Sequence, residues 1–260
     1  MRVARISHPS FETPRYASVL GSAVNPFPAG FSFEHAAVQH TQTTVALEEV
    51  KLLAPVAPSK VVCVGRNYRE HAAELGNPMP DEPLLFLKAP SAIIASEELI
   101  QLPPASQQVE HEGELGVVIG RLARKLSEDD NPLDYVFGYT CVNDVTARDL
   151  QRKDVQFTRG KSFDTFCPVG PWVETELDQA NVTVTTRLNG EIKQQGNTAD
   201  MAFPVAFLIK YISDIMTLYP GDLIATGTPA GVSKMKHGDM VEVEVSGIGV
   251  LRNQVFDRSS

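Results

Sequence analysis

Along most of the chain, apolar and polar residues alternate with a period of two, and only a few stretches carry the spacing of an amphipathic helix. Short alternating runs at Met1–Ile6, Ala17–Leu20 and Thr43–Leu47, separated by Pro, Gly and Asn, predict strands near the start. Lys51–Ser59, with Pro55 and Pro58, reads as a connector. A boundary is therefore expected after residue 58, between a small β-rich unit at 1–58 and a larger unit at 59–260. The second unit opens on an apolar strand, Val61–Val64, and Asn67 is then placed to cap a helix, with Glu70 three residues on as in a capping box and Gly76 as the stop. Strands are expected again at Glu110–Ile119, Tyr135–Asn143, Asp222–Thr226, Met240–Ser246 and Gly249–Val255. Asn189-Gly190 between Val182–Leu188 and Ile192–Gln195 is the strongest hairpin signal. Helices are expected at Val145–Lys153 and Pro204–Met216. Strands outnumber helices and do not alternate with them, and no internal repeat occurs, so the pattern predicts a β-rich α+β fold rather than a doubly wound sheet.

Composition narrows the classes of function. With 43% hydrophobic and 21% charged residues among 260, the chain has the makings of a full globular core. It contains no run of about 18 apolar residues, and Met1–Phe11 lacks the apolar centre of a signal peptide, which predicts a soluble cytoplasmic protein without a membrane partner. Cys63, Cys141 and Cys167 are odd in number and not in CxxC spacing, so packed, reduced thiols are expected. A formal charge of -9 argues against nucleic acid as a partner. An anionic substrate would need a bound cation or a few placed Arg and Lys residues to offset that charge.

Glu112 and Glu114 stand two apart in a segment whose other face is Leu115, Val117 and Ile119, so on a strand both carboxylates point to one side, about 7 Å apart. Such a pair is either a solvated face, which Glu110 would extend, or part of a hard-cation site, since Mg²⁺, Mn²⁺ and Ca²⁺ prefer several carboxylate oxygens from one direction. Asp144, at the end of the strand before the expected helix, can supply a third oxygen or merely cap that helix. Arg148 and Gln151 follow it by four and seven residues, on one helix face, and an arginine there suits a carboxylate ligand, although Asp149 or Asp154 could occupy it instead. His71 and Glu74, three apart, allow the carboxylate to orient the imidazole and raise its basicity, as in a water-activating pair or an ordinary surface pair. The glycine-bounded loop Gly160–Gly170 offers Lys161 as an electrostatic clamp. It is not a phosphate-binding loop, because Val155 stands where the first glycine is required. Thr226–Gly231 is a small-residue turn that fits an anion or plain turn chemistry equally well.

Taken in order, Gly65-Arg-Asn-Tyr68 with His71 and Glu74, His111-Glu-Gly-Glu-Leu115, Val142–Arg148, Lys161–Phe166 and Gly227-Thr-Pro229 resemble the fumarylacetoacetate hydrolase family over about residues 60 to 255. The resemblance implies a mixed β-sandwich roll as catalytic domain, a homodimer, and Mg²⁺ or Mn²⁺ on Glu112, Glu114 and Asp144. It also implies a water-activating dyad at His71 and Glu74, substrate contacts at Arg148, Gln151 and Lys161, and an anion-holding turn at Thr228. The small N-terminal unit resembles the appended domain of bacterial members that act in aromatic catabolism. The function expected from the resemblance is metal-dependent hydrolysis of a carbon–carbon bond in a small diketo acid, of acylpyruvate or fumarylpyruvate type, through an enolate. Decarboxylation of oxaloacetate, isomerisation of an unsaturated 2-oxo dioate, and simple sequestration of a 2-oxo acid by an idle binding protein are the alternatives. Gly76–Glu82, with two prolines, is the segment expected to order over the site.

Overall fold

The computed structural model describes residues 1–34 and 43–257. Its backbone is strand-rich α+β, as the sequence pattern predicts, and forms the mixed β-sandwich roll that the family resemblance implies. Among the described residues a 12-stranded sheet runs from the N-terminal strands Val45–Ala46, Ala23–Pro26, Arg15–Leu20 and Arg2–Ser7 through Cys167–Glu174, Val136–Asn143, Gly113–Ile119, Leu223–Ala225 and Val61–Gly65 to Leu84–Lys88, with Lys51–Leu53 and Ile93–Ile94 paired beside this path. A five-stranded sheet is built from Glu191–Asn197, Thr183–Leu188, Met240–Val245, Gly249–Asp257 and Ile100–Leu102. Most neighbours are antiparallel, but Leu223–Ala225 lies parallel to Val61–Gly65, and Gly249–Asp257 parallel to Ile100–Leu102. Among the described residues no helix is long and apolar enough to cross a membrane.

The two sheets close on one another through their alternating apolar positions. Leu115, Val117 and Ile119 of the large sheet share one core cluster with Val184, Val243, Val245 and Leu251 of the small one. Helix Val205–Ile215 adds Val205, Leu208, Ile209 and Ile212 to that cluster, the i, i+3, i+4, i+7 stripe of an amphipathic helix. Burying each of these side chains stabilises the fold by roughly 1.5–3 kcal/mol relative to exposure, so truncating Leu208 to Ala would open a cavity costing about 2–5 kcal/mol. At the far edge, Asn189 (φ 54°) and Gly190 (φ 81°) make the tight turn joining Thr183–Leu188 to Glu191–Asn197, as expected from the Asn-Gly pair.

The N-terminal strands continue the large sheet. Arg2 and Val3 pair with Glu174 and Val173, and Trp172 packs against both the small cluster of Ala4, Ile6, Ala17, Val19 and Val24 and the main core. The expected connector at 51–59 is partly ordered as strand: Lys51–Leu53 pairs with Arg2–Ser7, and Pro55 and Pro58 fall after that pairing has ended. All three cysteines are free and buried, as anticipated, and burial pushes the Cys141 and Cys167 thiols up to about 12, where they are inert as nucleophiles.

Candidate functional site

The strand expected at Glu110–Ile119 is interrupted. Val109–Glu110 pairs with Thr146–Ala147, Gly113–Ile119 pairs with Val136–Asn143, and His111 and Glu112 cross between the two ladders. Two hydrogen bonds fix the crossing: Glu112 N–H donates to Asn143 Oδ1 (3.0 Å), and Asp144 N–H donates to Glu112 C=O (2.8 Å). The carboxylates of Glu112, Glu114 and Asp144 are thereby gathered so that one oxygen from each lies within 4.8 Å of the others. All three residues are buried, as is Glu110, so this is not the solvated face that an isolated Glu-x-Glu permits. Their backs are the core positions Leu115, Val117 and Ile119.

The helix expected at Val145–Lys153 begins only at Arg148, because Thr146 and Ala147 are committed to the short ladder with Val109 and Glu110. Asp144 therefore lies before the helix, caps nothing, and does not share a helix face with Arg148 and Gln151; the fold still brings the three to one cavity. Arg148 does not pair with Asp149 or Asp154. Its Nε donates to Glu110 Oε2 (2.7 Å), one terminal nitrogen to Glu112 Oε1, and the other to Gln151 Oε1 (2.6 Å). Asp149 instead accepts from Ser106 and Gln107, and Asp154 from Arg159. Gln151 thus spends its carbonyl on Arg148 and keeps its amide donors without a protein acceptor among the described residues.

Lys161, 2% exposed, donates to both Glu112 Oε2 (2.7 Å) and Asp144 Oδ2 (2.6 Å). A third cation escaped the sequence reading. Lys88 Nζ donates to Asp144 Oδ1 (2.6 Å) and to Val145 C=O (3.0 Å). Its only signal in the sequence is that it ends the otherwise apolar run Leu84-Leu-Phe-Leu-Lys88.

The charges do not cancel. Four buried carboxylates, those of Glu110, Glu112, Glu114 and Asp144, face three buried cations, Lys88, Arg148 and Lys161. Burial would raise the Glu112 carboxyl, but Lys161 and Arg148 outweigh it and hold that group well below the usual carboxylate range. Burial lowers the Lys161 ammonium, and the charges of Asp144 and Glu112 more than reverse this. Glu114 has no cation partner among the described residues; its carboxylate accepts only Gly227 N–H (2.8 Å). Burial, with the charges of Asp144 and Glu112 beside it, pushes its carboxyl well above the usual range. Three buried carboxylate oxygens in reach of one another, one of them lacking a counter-charge, are the donor set that a hard divalent cation requires.

Across the cavity, His71 is 5% exposed, and its Nδ1 lies 3.4 Å from Glu74 Oε2. The helix that carries both, Arg69–Glu74, ends near Gly76 as expected, but Asn67 does not cap it. The Asn67 amide instead donates to Phe203 C=O and Thr226 C=O and accepts from Phe203 N–H, tying the helix start to two remote segments. Glu74 is anchored from the opposite turn, where Gly231 N–H reaches both of its oxygens at 3.0 and 3.1 Å. Burial lowers the His71 pKa, opposed by Glu112 and Glu74, so the imidazole is neutral at pH 7.

Thr228 borders the cavity, but its hydroxyl proton goes to Gly113 C=O (2.8 Å), and its oxygen accepts from Gln194 Nε2 (2.7 Å). The hydroxyl therefore braces the strand that carries Glu114. Gln194, also absent from the sequence reading, further accepts from Gly113 N–H and contacts His111. The cavity of about 230 Å³ is bordered by every expected site residue except Glu74, which contacts His71 from outside it. Such a volume lies below the roughly 300–1,000 Å³ typical of pockets for drug-sized ligands and has room for a small molecule. Leu75 and Asn77 also border it, while Glu82, at the end of the proposed covering segment, accepts from Tyr211 Oη at 3.2 Å.

Residues 60–256 match the model of the fumarylacetoacetate hydrolase C-terminal domain, and residues 1–55 match that of the Rv2993c-like N-terminal domain. The chain is 44% identical over 262 residues to protein Rv2993c of Mycobacterium tuberculosis, covering 98% of each. It is 43% identical over 225 residues to oxaloacetate tautomerase YisK of Bacillus subtilis, covering 81% of this chain and 74% of that one. It also superposes on a crystal structure of 2-hydroxyhepta-2,4-diene-1,7-dioate isomerase from Mycobacterium marinum with a TM-score of 0.89 and 40% identity, covering 100% of both.

Proposed function

The chain belongs to the fumarylacetoacetate hydrolase family, and we propose that it is a divalent-cation-dependent enzyme for small 2-oxo acids that works by proton transfer between enol and keto forms. The observation that carries this reading is one cavity holding a neutral, buried base, His71, together with three clustered carboxylates, one of which lacks a counter-charge. Mg²⁺ or Mn²⁺ held by Glu112, Glu114 and Asp144 would supply Lewis-acid stabilisation of negative charge on the keto oxygen of a bound 2-oxo acid.

Every other contribution comes from the chain. Lys161 and Arg148 keep Glu112 ionised and fixed in place, and Lys88 and Lys161 hold Asp144 by its two oxygens. The free amide donors of Gln151 are available to a substrate carboxylate. His71 accepts a proton from the carbon next to the keto group, or from the enol oxygen in the opposite direction, and returns it at the other atom. Glu74, held by Gly231 N–H, fixes the imidazole's tautomer and orientation. The similarity to proteins named oxaloacetate tautomerase and dioate isomerase supports proton transfer as the reaction.

Hydrolysis of an acylpyruvate or fumarylpyruvate-type diketo acid is the second reading, favoured by the same His71–Glu74 pair, because a base so placed can take its proton from water. The test runs three assays with Mg²⁺ or Mn²⁺ and again with EDTA: decay of enol-oxaloacetate absorbance, pyruvate release from acetylpyruvate and fumarylpyruvate, and CO₂ release from oxaloacetate. Metal-dependent enol decay that is lost in Glu112→Ala is the expected result. Pyruvate release without enol decay would replace this reading by hydrolysis, and silence in all three assays would discard both.

A further inference from the structure

We infer that Arg66, with Arg152 bordering the same cavity, forms a subsite for the second carboxylate of a dicarboxylic 2-oxo acid; this rests on the functional reading above and deepens it. The cavity is bordered by four side chains with a full positive charge. Two are committed, Arg148 to Glu110 and Glu112, and Lys161 to Glu112 and Asp144. Arg66 is different. Among the described residues no carboxylate comes within 4 Å of its guanidinium, although the chain carries 32 acidic residues against 23 basic ones and the side chain is only half exposed. Arg152 likewise lacks a carboxylate partner, and its hydrogen bond runs to Gln108 Oε1 at 3.5 Å, at the limit of such a contact.

The backbone adds a second observation. Arg66 has φ 57°, the left-handed region that residues with a side chain adopt at a cost. It stands between the strand Val61–Gly65 and the helix of His71, where Gly65 is the neighbouring residue without a side chain. A costly conformation of that kind falls at a residue bordering the cavity. Leu75, Leu84, Phe86 and Phe157 supply apolar wall around the same cavity, which suits the short carbon chain between two charged ends. The carboxylate next to the keto group belongs at the carboxylate cluster, so a cation without a partner elsewhere in the cavity is left for a second anionic group, which guanidinium recognises bidentately.

The experiment compares two unreactive probes on the metal-loaded full-length protein by calorimetry: 2-oxoglutarate, and 2-oxopentanoate, which has the same chain but a methyl group in place of the distal carboxylate. The wild type is expected to prefer 2-oxoglutarate by about tenfold or more. Arg66→Gln should lose most of that preference, and Arg66→Gln with Arg152→Gln all of it, while affinity for 2-oxopentanoate stays as in the wild type and reports an intact site. Equal binding of the two probes by the wild type, or a preference that survives in the double variant, would overturn the subsite and leave the functional reading standing. Equal losses for both probes in Arg66→Gln would place Arg66 on the shared end of the ligand and overturn it too. Failure of the wild type to bind either probe with metal present would overturn the reading of the site itself, and the subsite with it.

Discussion

The ammonium group of Lys88, wholly shielded from solvent, lies 2.6 Å from Oδ1 of Asp144, whose other oxygen is 2.6 Å from Lys161. Asp144 is thus gripped from both sides at a depth where an unpaired carboxylate is not tolerated. Removing one partner of a buried ion pair costs about 3–5 kcal/mol, chiefly through the charge left behind. Lys88→Met, which keeps the volume and removes the charge, should lower stability by that amount in EDTA, read by urea unfolding. A loss below about 1 kcal/mol would show that Lys161 alone suffices for Asp144.

Glu114 supports the opposite expectation. It forms no ion pair among the described residues, and its one hydrogen bond, from Gly227 N–H, can equally be accepted by an amide oxygen. Glu114→Gln should therefore fold with undiminished stability in EDTA. It should lose the stabilisation that Mg²⁺ or Mn²⁺ gives the wild type, about 2.7 kcal/mol at a hundred times the dissociation constant. A thermal shift with metal equal to that of the wild type would remove Glu114 from the cation site.

The same residues show how far the sequence could be read. The order of motifs carried the site, because three segments, His111–Leu115 with Glu112 and Glu114, Val142–Arg148 with Asp144 and Arg148, and Lys161–Phe166 with Lys161, meet at one cavity. Partners were harder, because a partner is a property of the fold. Arg148 has acids at the next position and six residues on, and it uses neither, reaching back to Glu110 and Glu112. Asn67 carries the local signature of a helix cap yet spends its amide on Phe203 and Thr226, more than a hundred residues away. Lys88 went unread since nothing local distinguishes a cation at the end of an apolar strand from one reaching for solvent. The late start of the helix at Arg148 has the same origin, a ladder between Thr146–Ala147 and Val109–Glu110 that local propensity cannot announce.

Gly231 offers a test of Glu74 from outside the dyad. Its φ is 104°, and a Cβ placed there would sit 1.9 Å from the backbone oxygen of Lys193, so the turn must shift to admit one. Gly231→Ala should move the N–H that holds Glu74 and cost about 1–3 kcal/mol of stability. It should also lower kcat by about tenfold or more with KM little changed, since Glu74 orients the base without bordering the cavity. Unaltered kcat in a measurably destabilised variant would mean that Glu74 keeps its place without this turn.

The pH dependence follows from His71. Burial disfavours the imidazolium more than the nearby carboxylates favour it, so the pKa falls below its ordinary 6.5 and the neutral base persists into mildly acid solution. Catalysis that needs neutral His71 should decline only as pH falls through that lowered pKa, placing the acid limb of kcat/KM below pH 6.5. A divalent cation held by Glu112 would add positive charge nearby and act in the same direction. Glu74 acts against it, because both its hydrogen bond and its charge favour the protonated ring. Glu74→Gln should therefore move the limb to still lower pH while reducing the rate at the plateau, a combination that general loss of structure does not produce. His71→Ala should remove the limb altogether with a loss of about 10²–10⁴ in kcat. The decisive comparison is the limb in wild type and His71→Ala: a limb above pH 6.5, or one that persists without the imidazole, assigns the titrating base to another residue.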